Sequence, residues 1–235
     1  MRTIDILDSE TFTQVATERI ARILSERTPR LPFHMFLSGG STPKAIYAGL
    51  AEADIDWTGV HLWWGDERFV PPDHADSNFR MVKEQLLSRV DIPTQQIHSW
   101  PILSTPELSA ETYEREFLSF FENLQHRLDL QLLGMGDDGH TASLFPASPA
   151  LEERDHLCVA NHVQGKDSIR LSLTFKGLAR SENVVFLVKG KGKAKALKEV
   201  LEDGQHPASK VFGRESTAMW VDSEAASLLS GAPSA

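Results

Sequence analysis

Short apolar runs alternate with helix-period segments along nearly the whole chain, and that order constrains the fold more than any other feature. Residues 3–7, 33–37, 60–64, 128–133, 183–188 and 218–221 have the length and composition of strands, and 156–163 and 169–173 are further β-like runs. Between them, Phe12, Val15, Ala16, Ile20, Ile23 and Leu24 recur at helical spacing, with Thr11 and Gln14 as a capping box. Helices are also expected over 43–53, with Thr42 as cap and Pro43 in the first helical position, from near Asn78, over 109–124, over 193–201, and finally through Leu229. A long loop separates residue 64 from Asn78. Repeated β-then-α order predicts an α/β fold with a mainly parallel sheet and helices on both faces. Such sheets place ligands at the carboxyl ends of their strands.

The 235 residues, 41% of them apolar, suffice for one domain spanning 1–235, with 230–235 expected to fray. No apolar run approaches the roughly 18 residues of a membrane span. Asp5, Asp8 and Glu10 interrupt any signal-peptide core. Cys158 is the single cysteine, so no internal disulfide forms and a cytoplasmic, reducing location is expected. The net charge of −9 argues against nucleic acid as a partner. It also means that an anionic substrate needs individually placed Arg and Lys residues.

Four loops leave strand ends with unusual residues. Ser38-Gly39-Gly40-Ser41-Thr42-Pro43 combines backbone access, hydroxyls and a helix start, a phosphate cradle by chemistry; a plain β-to-α turn with a capped helix accounts for the same residues. It lacks the Gly-Lys-Ser/Thr of a nucleotide loop, and Pro43 stands where a nucleophile elbow requires glycine. In Trp64-Gly65-Asp66-Glu67-Arg68, Arg68 could clamp a phosphate or carboxylate and Asp66 could hold hydroxyls or orient another group. The alternative is a solvated charged loop. In Gly134-Met135-Gly136-Asp137-Asp138-Gly139-His140 the glycines match a dinucleotide fingerprint, but Asp137 and Asp138 would repel a pyrophosphate and Pro146 leaves room for only a short helix. The segment reads instead as a turn that aims His140, a side chain suited to general-base work near neutral pH, with Asp138 beside it. The competing reading is a histidine that caps a helix. The fourth loop, Val188 to Lys195, is lysine-rich; one lysine could reach back to an anion, joined by Arg170, while the rest suit a solvated helix start.

Taken together, Leu37 to Pro43 (LSGGSTP), Trp64 to Pro72 with Ser77-Asn78, Gly134 to Pro146 (GMGDDGHTASLFP), Arg170 to Thr174 (RLSLT) and Gly190 to Ala194 (GKGKA) resemble the 6-phosphogluconolactonase family. The resemblance implies a three-layer α/β/α, modified Rossmann fold shared with glucosamine-6-phosphate deaminase and ribose-5-phosphate isomerase. It implies hydrolysis of 6-phospho-D-glucono-1,5-lactone, the second step of the oxidative pentose phosphate pathway, with no metal or organic cofactor. The partner is then a small sugar-phosphate lactone, with no nucleic acid and no membrane, and the protein a monomer or small homo-oligomer. His140 matches the base that activates water, and Asp66 and Arg68 the acidic and basic site residues. Gly39, Gly40, Ser41 and Thr42 match the phosphate loop, Lys193 the phosphate lysine, and Arg170 the arginine before the Ser-Leu-Thr strand. The Pro-Pro that often precedes that arginine is replaced by residues 165–169 of another composition.

Two rivals stand beside this reading. A sugar-phosphate deaminase or isomerase on the same scaffold would carry Asn-Glu-Pro where this chain has Leu144-Phe145-Pro146, and Phe145 transfers no proton. A non-catalytic sugar-phosphate sensor would need the phosphate loop but not His140.

Overall fold

The computed structural model describes residues 2–28, 31–123, 126–165 and 169–230. The first half runs β1 (Arg2–Leu7), α1 (Phe12–Glu26), β2 (Phe33–Leu37), α2 (Ser41–Leu50), β3 (Val60–Trp64), β4 (Asp66–Arg68), α3 (Asn78–Val82), β5 (Ile97–His98) and α4 (Pro106–Leu118). The second half runs β6 (Leu128–Gly134), β7 (Cys158–Asn161), β8 (Arg170–Leu173), α5 (Phe175–Leu178), β9 (Ser181–Val188), α6 (Ala194–Glu202) and β10 (Ser216–Asp222).

Seven strands form one sheet, ordered β1-β10-β9-β6-β2-β3-β5, with every neighbouring pair parallel. β2, β6 and β9 are buried almost continuously, as strands covered on both faces must be. Helices supply that cover in a three-layer α/β/α arrangement, with α1 packed on α2 and α4 lying against β7 and β8. The chain starts at the β1 edge, enters the middle at β2 and builds outward through β3 to β5, then returns to β6 on the other side of β2 and builds through β9 to β10, which slots in beside β1. The loops leaving β2 and β6 therefore diverge at a point of topological reversal, which opens a crevice at the carboxyl ends. Among the described residues no helix is long and apolar enough to cross a membrane.

Several local expectations give way to tertiary structure. The loop expected after β3 turns back at once as β4, which pairs antiparallel with β8, and β8 with β7, in a small second sheet. The Thr11–Gln14 capping box does not form: Asp8 accepts from the Glu10 and Thr11 amides, and Gln14 donates to Glu18. Nor does Thr42 cap α2, which starts two residues earlier than expected, at Ser41, follows Gly40 without a side-chain cap, and stops at Leu50. α4 begins at Pro106, capped by Thr105, and passes into a π-helical turn over Ser119–Asn123; the expected end at Leu124 lies outside the described residues. The last helix shrinks to a 3-10 turn, Ala225–Leu228, because Asp222 ties the Ala225 amide into a tight turn and Leu229 is already extended. Residues 231–235 of the expected frayed tail also lie outside the described residues.

Candidate active site

The loops following β2, β3, β6 and β9 converge with the start of β8 on one cleft at the carboxyl end of the sheet. Ser38, Gly39 and Gly40 form one wall, and the Tyr47 hydroxyl fixes it by accepting from the Ser38 amide at 2.9 Å and donating to the Ser38 carbonyl at 3.0 Å. Asp66, Arg68 and Asn78 form a second wall. The segment from Gly134 through Phe145 forms the floor, and Arg170 and Lys193 close the perimeter.

His140 stands on a turn made by its own backbone. The Gly136 amide donates to the His140 carbonyl at 2.9 Å, and the Gly139 amide donates to the Gly136 carbonyl at 3.1 Å. The imidazole folds back over Gly136, where a Cβ would lie 2.0 Å from Nδ1, so only glycine permits this ring position. Thr141 donates to the Gly134 carbonyl at 2.8 Å, which closes the turn onto the end of β6. No helix follows. The chain instead forms a bridge between Thr141 and Leu144, with Ala142 at φ +47°, so His140 is not a helix cap. Non-glycine residues with positive φ cost strain and concentrate at functional sites.

Asp138 Oδ1 lies 2.5 Å from His140 Nδ1 and also accepts from the His140 amide at 3.1 Å. A carboxylate there holds the proton on Nδ1 and leaves Nε2 as the basic nitrogen. Burial pushes the Asp138 carboxyl up, but its hydrogen bonds to His140 and the attraction of that ring outweigh burial, and the net direction is down. Asp138 therefore stands behind His140 rather than lining the cleft. On the cleft side the Phe145 ring lies against the imidazole, with centroids 4.1 Å apart.

The Asp66-Glu67-Arg68 strand divides into three roles. Asp66 is buried; its Oδ2 accepts from the Ser143 hydroxyl at 2.7 Å, and its carbonyl accepts from Asn78 Nδ2 at 2.9 Å. It thereby ties β4 to the segment just past His140. Glu67 turns away from the cleft and accepts from the amides of Arg68, Asn78 and Phe79 and from the Ser77 hydroxyl. Burial drives its carboxyl up, against the pull of those three amides. Arg68 donates to the Asp76 carbonyl at 2.7 Å and to Asn78 Oδ1 at 3.0 Å, which fixes its guanidinium at the cleft.

Arg68 and Arg170 are register partners across β4 and β8, so their side chains leave the same face of that small sheet. Burial lowers the Arg170 guanidinium first, and the neighbouring Arg68 charge lowers it further, against the opposing pull of Asp66. Two like charges placed together at a cleft give it a local positive potential despite the net charge of −9. Lys193 adds a third cation and pairs with Asp137 at 2.5 Å.

Of the expected site residues, Gly39, Gly40, Asp66, Arg68, His140, Arg170 and Lys193 all line the cleft. Ser41 and Thr42 do not; because α2 begins at Ser41, both belong to its first turn, and the loop offers Gly39 and Gly40 instead. Sequence reasoning missed Ser143 and Asn78 as the partners of Asp66. Asn78 had a signal in the Ser77-Asn78 pair, a helix-start motif whose side chain reaches back 12 residues. Ser143 had none beyond its place after His140. Among the described residues no group of three or more His, Cys, Asp or Glu side chains is arranged to hold a metal ion.

Comparison with known proteins gives the family and the fold. Residues 7–220 match the family model described as glucosamine-6-phosphate isomerases/6-phosphogluconolactonase. A 6-phosphogluconolactonase of Synechocystis sp. is 44% identical over 200 residues, covering 82% of this chain and 81% of the relative. The crystal structure of 6-phosphogluconolactonase from Thermotoga maritima superposes with a TM-score of 0.84 at 35% identity, covering 94% of this chain and 100% of that one. A monomeric glucosamine-6-phosphate deaminase has a TM-score of 0.80 at 21% identity, covering 96% and 99%, which is a likeness of fold. With its cleft, its turn-mounted histidine and these relatives, the chain belongs to the glucosamine-6-phosphate isomerase/6-phosphogluconolactonase family.

Proposed function

We propose that this protein hydrolyses 6-phospho-D-glucono-1,5-lactone to 6-phosphogluconate, with His140 as general base. The observation that carries this reading is the His140 setting: Nδ1 bound to Asp138, Nε2 left basic, and the Phe145 ring against the imidazole. His140 takes a proton from water as the water oxygen attacks the lactone carbonyl. The carbonyl electron pair moves to oxygen, and the tetrahedral intermediate collapses with loss of the ring oxygen, which receives the proton from His140. No covalent intermediate is needed, and a strained lactone is already electrophilic. A positioned base typically contributes about 10²–10⁴-fold, and donors aimed at the oxyanion about 10²–10³-fold.

Lys193, Arg170 and the Gly39–Gly40 backbone hold the phosphate in this reading, and Arg68 supplies positive charge towards the reacting end. Remote phosphate binding then aligns the carbonyl with His140. Asp66 receives sugar hydroxyls while Ser143 and Asn78 keep it in place. Phe145 favours lactone hydrolysis over deamination, because an apolar ring occupies the position next to the base where amine chemistry needs a second proton carrier. We extend the reading to a single catalytic unit working in the cytoplasm, which suits a chain whose one thiol, Cys158, is buried.

The test is coupled turnover with lactone generated in situ by glucose-6-phosphate dehydrogenase, after subtraction of spontaneous hydrolysis. His140→Ala should lose about 10²-fold or more in kcat. Near-wild-type turnover by that variant would remove His140 from the role, and ammonia release from glucosamine 6-phosphate would overturn the reaction class.

A further inference from the structure

The turn that carries Asp138 and His140 is gripped from outside by the segment between α6 and β10. His206 Nδ1 lies 3.0 Å from the Asp138 carbonyl, and Nε2 lies 3.1 Å from Glu199 Oε2 on α6. Two residues on, the Ala208 amide donates to the Gly139 carbonyl at 3.0 Å. Consecutive peptide carbonyls of the turn are thus held by one short segment. Gly139, at φ +73°, lies so close to the imidazole that a Cβ would stand 2.5 Å from Nδ1. The gripping segment is itself anchored: Ser209 Oγ donates to the Gly204 and His206 carbonyls, and Arg2 donates to the carbonyls of Ala208, Ser209 and Val211.

We propose that His206, held by Glu199, is a positioning residue for the Asp138–His140 pair. A carbonyl only accepts, so Nδ1 must carry a hydrogen to bond Asp138, and that bond sets the height of the peptide from which the Asp138 side chain departs. Asp138 Oδ1 in turn sets the His140 ring at 2.5 Å. The path from His206 to the base is two hydrogen bonds and one residue long, and a small displacement at a base costs rate rather than ground-state binding. Glu199 likewise only accepts, so the two bonds form together when the ring carries a hydrogen on each nitrogen, as an imidazolium beside the carboxylate; Nε2–H then donates to Glu199, which keeps the ring from rotating away. Lys195 lies 3.8 Å from Glu199 on the same helix, and Lys193 holds Asp137 on the other flank of the turn.

Two variants separate the bonds that His206 makes. His206→Asn keeps an N–H near the Nδ1 position and loses the reach to Glu199. His206→Gln keeps an N–H near the Nε2 position and loses the bond to Asp138. The expected result is a kcat about 10-fold lower in His206→Gln with KM unchanged, and a kcat within about two-fold of wild type in His206→Asn. Equal kcat in the two variants, or a loss confined to KM, would overturn the proposal. It rests on the lactonase reading for its kinetic readout, so the His140 ring ¹⁵N signals are recorded on the same samples. They should move in His206→Gln and stay in place in His206→Asn. If the wild type lacks lactonase turnover, the reading of the reaction has failed while the ring signals still decide the role of His206; unmoved signals in both variants would sink it.

Discussion

The cations of the cleft are not interchangeable, because each has a different partner before any substrate arrives. Arg68 is braced by Asp76 and Asn78, so its geometry is fixed in advance. Lys193 instead holds Asp137 at 2.5 Å on a side chain with four rotatable carbons, and it can exchange that carboxylate for a phosphate. A contact made equally in ground and transition states contributes to binding and not to kcat. Lys193→Ala should therefore raise KM about 10-fold or more with kcat within about two-fold, since a hydrogen bond to a charged group contributes about 1.5–3 kcal/mol. Steady-state kinetics across lactone concentration checks it, and an unchanged KM would take Lys193 out of phosphate binding.

At the scale of elements, the decisive piece is β4, only three residues long and wholly charged. Glu67 is 3% exposed and caps α3 from a distance by taking the amides of Asn78 and Phe79, both at 2.7 Å. Removing its carboxylate leaves three buried or half-buried amides without their acceptor. Glu67→Ala should lose about 3 kcal/mol or more of stability, a drop in Tm of roughly 6–12 °C for a chain of this size. Activity should fall as well, because Asn78 carries both Asp66 and Arg68. Thermal unfolding followed by circular dichroism reads the first effect, and a Tm within 2 °C of wild type would count against the cap. This element also marks where sequence reading stops. The strands β2, β3, β6 and β9 are legible because apolar runs buried on both faces look like little else, and His140 is legible because three glycines surround it. β4 is not, since Asp-Glu-Arg has no strand propensity and its ladder partner lies about a hundred residues away. Whether Glu67 faces solvent or protein, and whether Ser41 or only Gly40 reaches the cleft, depends on where α3 and α2 begin. Shifts of one or two residues at helix ends decide both, and local composition does not encode them.

At the scale of the whole molecule, the cleft at the carboxyl end of the sheet is separate from a second polar cluster nearer the amino ends of β2 and β3. His34 on β2 stacks on His61 on β3, His61 stacks on His98 on β5, and His98 also stacks on Trp63, with Phe120 and Phe121 from the π-helical turn after α4 set edge-on against His34. The Trp63 indole donates to His34 Nδ1 at 3.0 Å, which leaves the His34 hydrogen on Nε2, facing His126 Nδ1 at 3.0 Å. Glu116 on α4 takes His98 Nδ1 at 2.6 Å, and Asp129 on β6 accepts from the His34 amide. Burial, then the neighbouring histidines, push His34 down to about 2 and His61 down to about 4. Their folded forms thus stay neutral where an unfolded imidazole, at about 6.5, takes a proton. A depressed histidine contributes no penalty above that unfolded value and loses stability progressively as pH falls below it, down to its folded value. Asp129 works the other way: burial raises it to about 6, so acidification from there towards about 4 relieves the fold. Two imidazoles outweigh one carboxyl, and fully buried His34 alone is expected to cost about 2–3 kcal/mol between pH 7 and 4.5. Replacing it by a side chain that accepts from Trp63 but does not titrate isolates the effect. In His34→Gln, stability from urea unfolding should fall less steeply between about pH 6.5 and 4.5, the slope being smaller by about 1.4 kcal/mol per pH unit, one proton's worth. Parallel curves for the variant and the wild type would mean that the acid sensitivity of the molecule resides elsewhere.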